Sequence, residues 1–196
     1  MNTIKSLMII LCLAFAGIEL SSCSDSISED IGSKIYDGLF TSLKNNYSGN
    51  LILSDNTARN LKFSIRDEVE NGNTSTNVRV SEFPIDNILM KLYPGEYQKV
   101  AVTSVDTYVA PVDSVGYPSV DNIVFKTNDD KTANLNFSFK KDGETHNGWA
   151  KVSTSGIYNS KSRILDINFQ VIDLVVDNSD RSSLTPITYF LECSPQ

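Results

Sequence analysis

Two spacings of apolar residues divide the sequence, one typical of a helix and one typical of β-strands. Between residues 29 and 44 the apolar side chains recur at every fourth position: Ile31, Ile35, Leu39 and Leu43. This spacing places them along one face of a helix. Ser26 and Glu29 have the spacing of a capping box at its start, and Asn45-Asn46 would end it.

After residue 50 the apolar residues recur at every second position, as in strands with one buried face. Leu61, Phe63 and Ile65, for example, alternate with polar residues. Strands are predicted near 51–53, 60–66, 78–80, 98–109, 120–127, 132–140, 145–154, 163–176 and 186–193. The apolar phase shifts after Val171, which predicts a bulge there, or a strand that bends between two sheets.

A second, short helix is predicted at about 85–92. Pro84 suits its first turn, because an N–H at that position has no partner within the helix. Tyr93-Pro94-Gly95 would end it. The whole pattern predicts a mainly β domain, an antiparallel sandwich or a calycin-like barrel, with two helices. The alternative is an α+β sheet packed on the helix at about 29–44.

One hairpin can be assigned a register from the sequence. Asp142-Gly143 lies between two alternating runs, as expected of a two-residue turn. The register then pairs Lys141 with Glu144, Phe139 with His146, Phe137 with Gly148, and Leu135 with Ala150. Trp149, the single tryptophan of the chain, falls opposite Asn136 on the polar face, unless a bulge at Asn147-Gly148 turns it over.

The first 23 residues have the organisation of an export signal. Lys5 precedes an apolar run from Leu7 to Ile18, which is too short to cross a bilayer comfortably. Leu20-Ser21-Ser22-Cys23 resembles the lipobox of bacterial lipoproteins, in which the cysteine is acylated and the preceding peptide is removed. The resemblance implies a signal peptide at 1–22, a tether at 23–28 and one domain at 29–196.

The resemblance also implies a location in the cell envelope, as an outer-membrane lipoprotein. The acidic stretch Ser24–Asp30 resembles the sorting signal of Bacteroidetes lipoproteins that reach the cell surface. A solvated linker is the alternative interpretation of the same residues. The membrane is therefore the first expected partner, reached through lipid on Cys23.

Charge and cysteine content restrict the remaining partners. The net charge is −7, and removal of residues 1–22 takes away one cation and one anion and leaves it unchanged. An acidic protein of this kind is not expected to bind nucleic acid. Cys193 would be the one free thiol of the mature chain, and its alternation with Ile187, Tyr189 and Leu191 predicts a buried hydrophobic role.

No motif for catalysis is present in the sequence, and no enzymatic activity is expected. His146 is the single histidine, so any nucleophile–histidine pair or zinc site would depend on it. Asn128-Asp129-Asp130 and Asp177–Asp180 could offer oxygen ligands to calcium, but both fit turns better. No metal or cofactor is expected.

Aromatic residues are the main candidates for binding. Trp149, Tyr93, Tyr97 and Tyr117, with Tyr108 as a further member, lie on predicted strands or on loops rich in proline and glycine. Exposed rings can stack on sugars or anchor a protein, and packing at a sheet edge is the alternative. Ser114 and Ser26 each lie in a triplet that resembles the acceptor of Bacteroidetes O-glycosylation, Ser114 in a predicted loop.

The lipobox, the segment Tyr47–Leu53 and the segment Val78–Leu89 together resemble the uncharacterised small lipoproteins of gut Bacteroides. Some relatives of that kind resemble calycins, which are antiparallel barrels. The family has no settled activity, so the resemblance implies no catalytic residues. The leading hypothesis is a non-catalytic, lipid-anchored module that binds a glycan or an envelope protein. A carrier of an apolar ligand in a barrel cavity and an acid-pair glycoside hydrolase are the alternatives.

Overall fold

Eleven antiparallel strands and two α-helices build the part of the chain that the structure describes, residues 29–52 and 58–196, with backbone alone for 29–35. It is a computed structural model. The helices are α1 (Glu29–Leu43) and α2 (Asp86–Leu92). The strands are β1 (Asn45–Ile52), β2 (Ala58–Glu70), β3 (Asn73–Val80), β4 (Val100–Val105), β5 (Tyr108–Ser119), β6 (Asn122–Thr127), β7 (Leu135–Lys141), β8 (Glu144–Asn159), β9 (Ile164–Val176), β10 (Ser179–Asp180) and β11 (Ile187–Pro195).

The strand pairing closes into a ring. The sheet runs in the order β9, β11, β1, β2, β3, β5, β6 and β8, and β8 pairs again with β9. Every pair in this ring is antiparallel. The predicted mainly β, antiparallel class is therefore confirmed, in its barrel form. Residues Ile35–Gln196 form one compact unit.

Aromatic rings fill the interior of the barrel. Phe169 of β9 is fully buried, and its ring centroid lies 5.9 Å from that of Phe63 and 5.7 Å from that of Phe83. Tyr108 lies 6.0 Å away on another side, and all three rings meet Phe169 nearly edge-on. Such edge-to-face contacts are favourable for aromatic rings. The centre of the barrel is therefore a packed core.

The two helices lie at opposite ends of this barrel. At the entry end, where β1 begins, Leu43 of α1 is fully buried and its carbonyl accepts a hydrogen bond of 2.7 Å from the Tyr47 hydroxyl. At the far end, α2 follows β3 and buries Ile88 and Leu89 completely. The α+β alternative is wrong, because in the described part of the chain eleven strands, with only two short helices, form one antiparallel sheet that closes on itself.

An arm extends the sheet beyond the barrel at the far end. The second half of β8 pairs with β6, whereas its first half pairs with β7, which in turn pairs with β4. Where the two halves of β8 meet, Ile172 of β9 is an extra residue between the pairs Lys151–Asp173 and Val152–Val171. The bulge predicted from the apolar phase after Val171 is therefore confirmed. Bulges increase local twist, and this one lies where the arm leaves the barrel.

The bounds of both helices are predicted to within one or two residues at each end. The prediction of a loop around Ser114 is wrong. Residues 110–119, with Pro111 and Pro118, belong to β5, and the single strand expected at 98–109 is divided between β4 and β5. Proline is tolerated where a strand needs no N–H on that side. After Pro111, β5 has β6 as a neighbour but no longer β3, so the residue lies where pairing on one side stops.

Candidate functional site

The hairpin of β7 and β8 has the register that its turn predicts. Leu135 pairs with Ala150, Phe137 with Gly148, Phe139 with His146, and Lys141 with Glu144. Asn136 lies opposite Trp149, and the pairing contains no shift that would turn the indole inward. Trp149 is therefore on the outer face of the arm, where it is half-buried.

A groove of about 380 Å³ follows this outer face. We call it the Trp149 groove. Its lining residues are Asn136, Phe137, Ser138, Asn147, Gly148, Trp149, Val175, Asp177 and Asn178. Its size falls in the range of about 300–1,000 Å³ that is usual for small-molecule sites. An indole with side-chain amides on both sides can receive a flat, polar ring by stacking and hydrogen bonding.

Hydrogen bonds fix the polar side chains of the groove. The Ser138 hydroxyl donates to Asn147 Oδ1 at 2.7 Å, which leaves the Asn147 NH₂ group as a donor for a ligand. Asn136 Nδ2 donates to Asp106 Oδ2 at 2.9 Å, so its Oδ1 remains as an acceptor. The groove therefore offers a donor and an acceptor whose side chains are already held in place.

Gly148, next to Trp149, allows the Phe137 ring and the β9 backbone to approach β8 closely. A Cβ at this position would lie 2.7 Å from the Phe137 ring and 2.9 Å from the Val175 carbonyl oxygen. Phe137 is buried on the inner face, so its ring occupies the space that a side chain at Gly148 would take. The backbone next to Trp149 therefore packs directly on the Phe137 ring.

His146 and Asp177 form a pair at the edge of the groove. His146 Nδ1 lies 2.6 Å from Asp177 Oδ2, and the Asn147 N–H donates to Asp177 Oδ1 at 3.1 Å. The His146 hydrogen bond, followed by that from Asn147, holds the pKa of Asp177 below its usual value. The imidazole stacks on the ring of Phe139, with ring centroids 5.1 Å apart, as the predicted pairing of these two residues in the hairpin allows.

The other predicted aromatic residues do not join this site. Tyr93 packs on Phe139, on the opposite face of the hairpin from Trp149, with ring centroids 5.7 Å apart. The Tyr97 hydroxyl donates to Asp86 Oδ1 at 2.7 Å, and Tyr117 lies 4.6 Å from Tyr36 near the entry end. Tyr108 is buried in the core. The four tyrosines are therefore not brought together with Trp149, and Tyr108 fits neither a shared binding site nor packing at a sheet edge.

Cys193 lies in the core, and the two acidic clusters lie at turns that follow β6 and β9. Cys193 is buried on the face of Ile187, Tyr189 and Leu191, as predicted, and burial raises the pKa of its thiol to about 12. Asn128 Oδ1 accepts the N–H groups of Asp130 and Lys131, which is a turn. Asp177 and Asn178 have positive φ and connect β9 to β10. Among the described residues no group of three potential metal ligands occurs.

The predicted modification sites are only partly within the structure. Cys23 and Ser26, with the whole of 1–28, lie outside the described residues. Ser114 is exposed, but it lies on β5 opposite Lys126 and not in a loop. The predicted loop around Ser114 is therefore wrong, whereas glycosylation of Ser114 and Ser26 and acylation of Cys23 stay predictions.

Comparisons with known proteins leave the groove to be interpreted from its own chemistry. No protein-family model, no curated protein and no solved structure matches the chain. Of the two α-helices that the structure describes, neither is long and apolar enough for a membrane span.

Sequence reasoning placed Trp149 correctly but missed most of the residues around it. The sequence predicts a turn at Asp177 and offers Asn147 only as part of a possible bulge. The register of the hairpin could have indicated Asn136, Ser138 and Asn147 as neighbours of the indole. Asp177, Asn178 and Val175 come from β9 and its turn, and no short-range signal in the sequence brings them to β8.

Proposed function

We propose that this protein is a non-catalytic, lipid-anchored envelope protein whose Trp149 groove binds a neutral glycan. The observation that supports this most is the position of the single tryptophan: it lies on the outer face, in a groove bordered by side-chain amides. A core tryptophan would be fully buried. A ring held half-buried among hydrogen-bonded donors and acceptors fits a ligand that has both an apolar face and hydroxyl groups.

The charge at the groove favours a neutral ligand. Asp177 lines it, and its lowered pKa keeps the carboxylate ionised at neutral pH. Asp106 lies behind Asn136. A sulfated or otherwise anionic sugar would bring like charge close to these groups, so we expect neutral sugars to bind more tightly than anionic ones.

The two alternative functions receive less support from the same features. The barrel interior is occupied by packed rings such as Phe169, whose side chain is fully buried, so it offers little room for an apolar ligand. In the described part of the chain the groove is lined by one carboxylate, Asp177. Hydrolysis by an acid pair needs two, one of them protonated, and the lowered pKa of Asp177 is the reverse of what a general acid needs.

A glycan array followed by calorimetry tests the binding proposal. Trp149→Ala should weaken binding of the best neutral glycan at least about tenfold, as expected for loss of a central aromatic contact, while Trp149→Phe should retain part of it. Tyr93→Ala is the matched control, since that ring packs on the opposite face of the hairpin. Failure of every neutral glycan to bind, or equal binding by Trp149→Ala, would refute the proposal.

The lipid anchor needs its own experiment. Cells fed an alkyne-tagged fatty acid should incorporate the label into the protein, and Cys23→Ser should abolish both labelling and recovery in the membrane fraction. Cys193→Ser serves as the control, because the proposal places no lipid there. Labelling that survives Cys23→Ser would show that the anchor has been assigned to the wrong residue.

A further inference from the structure

A second site is formed where the barrel wall parts between β3 and β5. These strands pair over four residues only, Asn77–Val80 with Tyr108–Pro111. Beyond them, Asn73–Thr76 stays paired with β2, and the rest of β5 stays paired with β6. In the described structure each strand therefore has an edge with no neighbouring strand.

The space between the two edges is a cavity of about 940 Å³. We call it the β3–β5 cleft. It is lined by Thr74, Ser75 and Thr76 from β3, and by Val112, Asp113 and Val115 from β5. Both the inward-facing and the outward-facing residues of these strands line it. The cleft therefore passes between the two strands, from the inner to the outer face of the barrel wall, and is not a depression on one surface.

The backbone of the cleft is suited to one more strand. The edge of a sheet presents N–H and C=O groups that a neighbouring strand would pair. Four residues of β3 in extended conformation span about 13 Å, which is the length of a short strand. An extended peptide placed here would pair with β3, with β5 or with both, which is the known mode of strand addition.

The walls of the cleft define the side chains of such a peptide. Phe40 of α1, Val69 and Val112 provide apolar surface on the inner side. Ser75, Asn77 and Asp113 provide polar groups on the outer side. Because successive side chains of a strand point to opposite faces, the occupant should alternate apolar and polar residues.

Glu70 and Lys131 lie near the two ends of the cleft, which is also lined by Asp113, Glu68 and Arg79. Glu68 and Arg79 form an ion pair at 3.5 Å, and Asp113 Oδ1 accepts a hydrogen bond from Asn128 Nδ2. Glu70 lies at the tip of the β2–β3 hairpin, and Lys131 follows β6 near the closed end, where the Asn128 N–H donates to the Pro111 carbonyl. Within the described part of the chain neither Glu70 nor Lys131 forms an ion pair. A strand with a basic residue beside Glu70 and an acidic residue beside Lys131 would complement both.

We propose that the β3–β5 cleft binds an extended segment of a protein partner by strand addition. The segment alternates apolar and polar residues and carries opposite charges at its two ends. The site is separate from the Trp149 groove. A second copy of this chain is the less suitable occupant, because two copies of net charge −7 repel each other.

The first experiment is a peptide array. It contains hexapeptides with Thr at polar positions and Val, Ile or Phe at apolar positions, each made with Lys first and Glu last, with the reverse order, and with neutral ends. We expect the array to contain binders, with one charge order preferred about fivefold, the size expected of two rim ion pairs. In the charge-exchanged variant Glu70→Lys with Lys131→Glu the preferred order should reverse.

Controls separate this effect from a change in the fold or the net charge. Both exchanged residues are exposed, and the exchange keeps the net charge. Glu144→Lys with Lys161→Glu makes the same exchange at exposed positions outside the cleft and should leave the preference unchanged. Trp149→Ala should not affect peptide binding, so failure of the glycan proposal would not imply failure of this one.

Hydrogen exchange locates the bound peptide. The peptide is added at ten times its dissociation constant. Amides of Thr74–Thr76 and Val112–Val115 that exchange only when the peptide dissociates should then exchange about tenfold more slowly than in the free protein. No binder in the array, slowed exchange at other strands, or an unchanged charge preference in the exchanged variant would overturn the proposal. So would a dimer in sedimentation that the charge exchange abolishes, because the occupant would then be a second copy.

Discussion

Phe169→Ala tests whether the barrel is a packed core or a container. The side chain is fully buried, and three rings surround it at centroid distances of 5.7–6.0 Å. Burial of about 150–200 Å² of phenylalanine at about 25 cal/mol per Å² corresponds to about 4–5 kcal/mol. This is an upper value, because the unfolded chain already buries part of that surface. We expect a loss of about 3–5 kcal/mol in the free energy of unfolding, the usual range for such a truncation in a core.

Urea unfolding followed by circular dichroism measures this loss. With an m-value of about 2 kcal/mol per M, the midpoint should fall by about 1.5–2.5 M. Ile172→Ala is the control: it also truncates a hydrophobic residue of β9, but its side chain is 37% exposed, and it should cost about 1 kcal/mol or less. A loss below 1 kcal/mol for Phe169→Ala would refute the packed interior and would favour a carrier of apolar ligands.

Three further predictions concern a close approach, a carboxylate and a thiol. Gly156→Ala should lower the free energy of unfolding by about 1–3 kcal/mol, because its Cβ would lie 2.6 Å from the Phe125 ring. Gly38→Ala is the control: no atom lies within 4 Å of its Cβ, and it should be neutral or stabilising. Urea unfolding measures both. Asp177→Asn should lower stability at pH 7, and because the pKa of Asp177 is lowered in the fold, that difference should shrink as pH falls below about 4; a difference independent of pH from 7 to 2 would contradict the His146 contact. Cys193, whose pKa burial raises to about 12, should resist iodoacetamide at pH 8 in the folded protein and react once unfolded, as peptide mass spectrometry would show; rapid labelling of the native thiol would contradict its burial.

Local patterns in the sequence predicted the elements of this fold because each rests on neighbouring residues. The Asp142-Gly143 turn fixes the register of its hairpin, and that register placed Trp149 opposite Asn136. The phase shift after Val171 predicted the bulge at Ile172. Both are consequences of the two-residue period of a strand, which the sequence shows directly.

Contacts between distant strands were not predictable in the same way. The pairing of β8 with β9 closes the barrel and brings Asp177 to His146, but the sequence contains no local signal for it. Pro111 and Pro118 favour a loop when the sequence is considered alone. They are tolerated in β5 because β3 no longer pairs with β5 beyond Pro111, and the sequence does not show where that pairing ends. The β9 side of the groove depends on the pairing of β8 with β9, and the cleft depends on the pairing of β3 with β5. Both pairings join segments that are distant in the sequence, so neither feature was predicted as a whole.

Ile172 affects the direction of the sheet because it is the bulged residue of β9. It is the one residue of β9 with no counterpart in β8, between Lys151–Asp173 and Val152–Val171. If it were deleted, those pairs would become adjacent and every side chain would keep its neighbour across the ladder. What would change is direction, because the added coiling that a surplus residue introduces would disappear. The bulge at this one position therefore changes the direction in which the arm that carries Trp149 leaves the barrel.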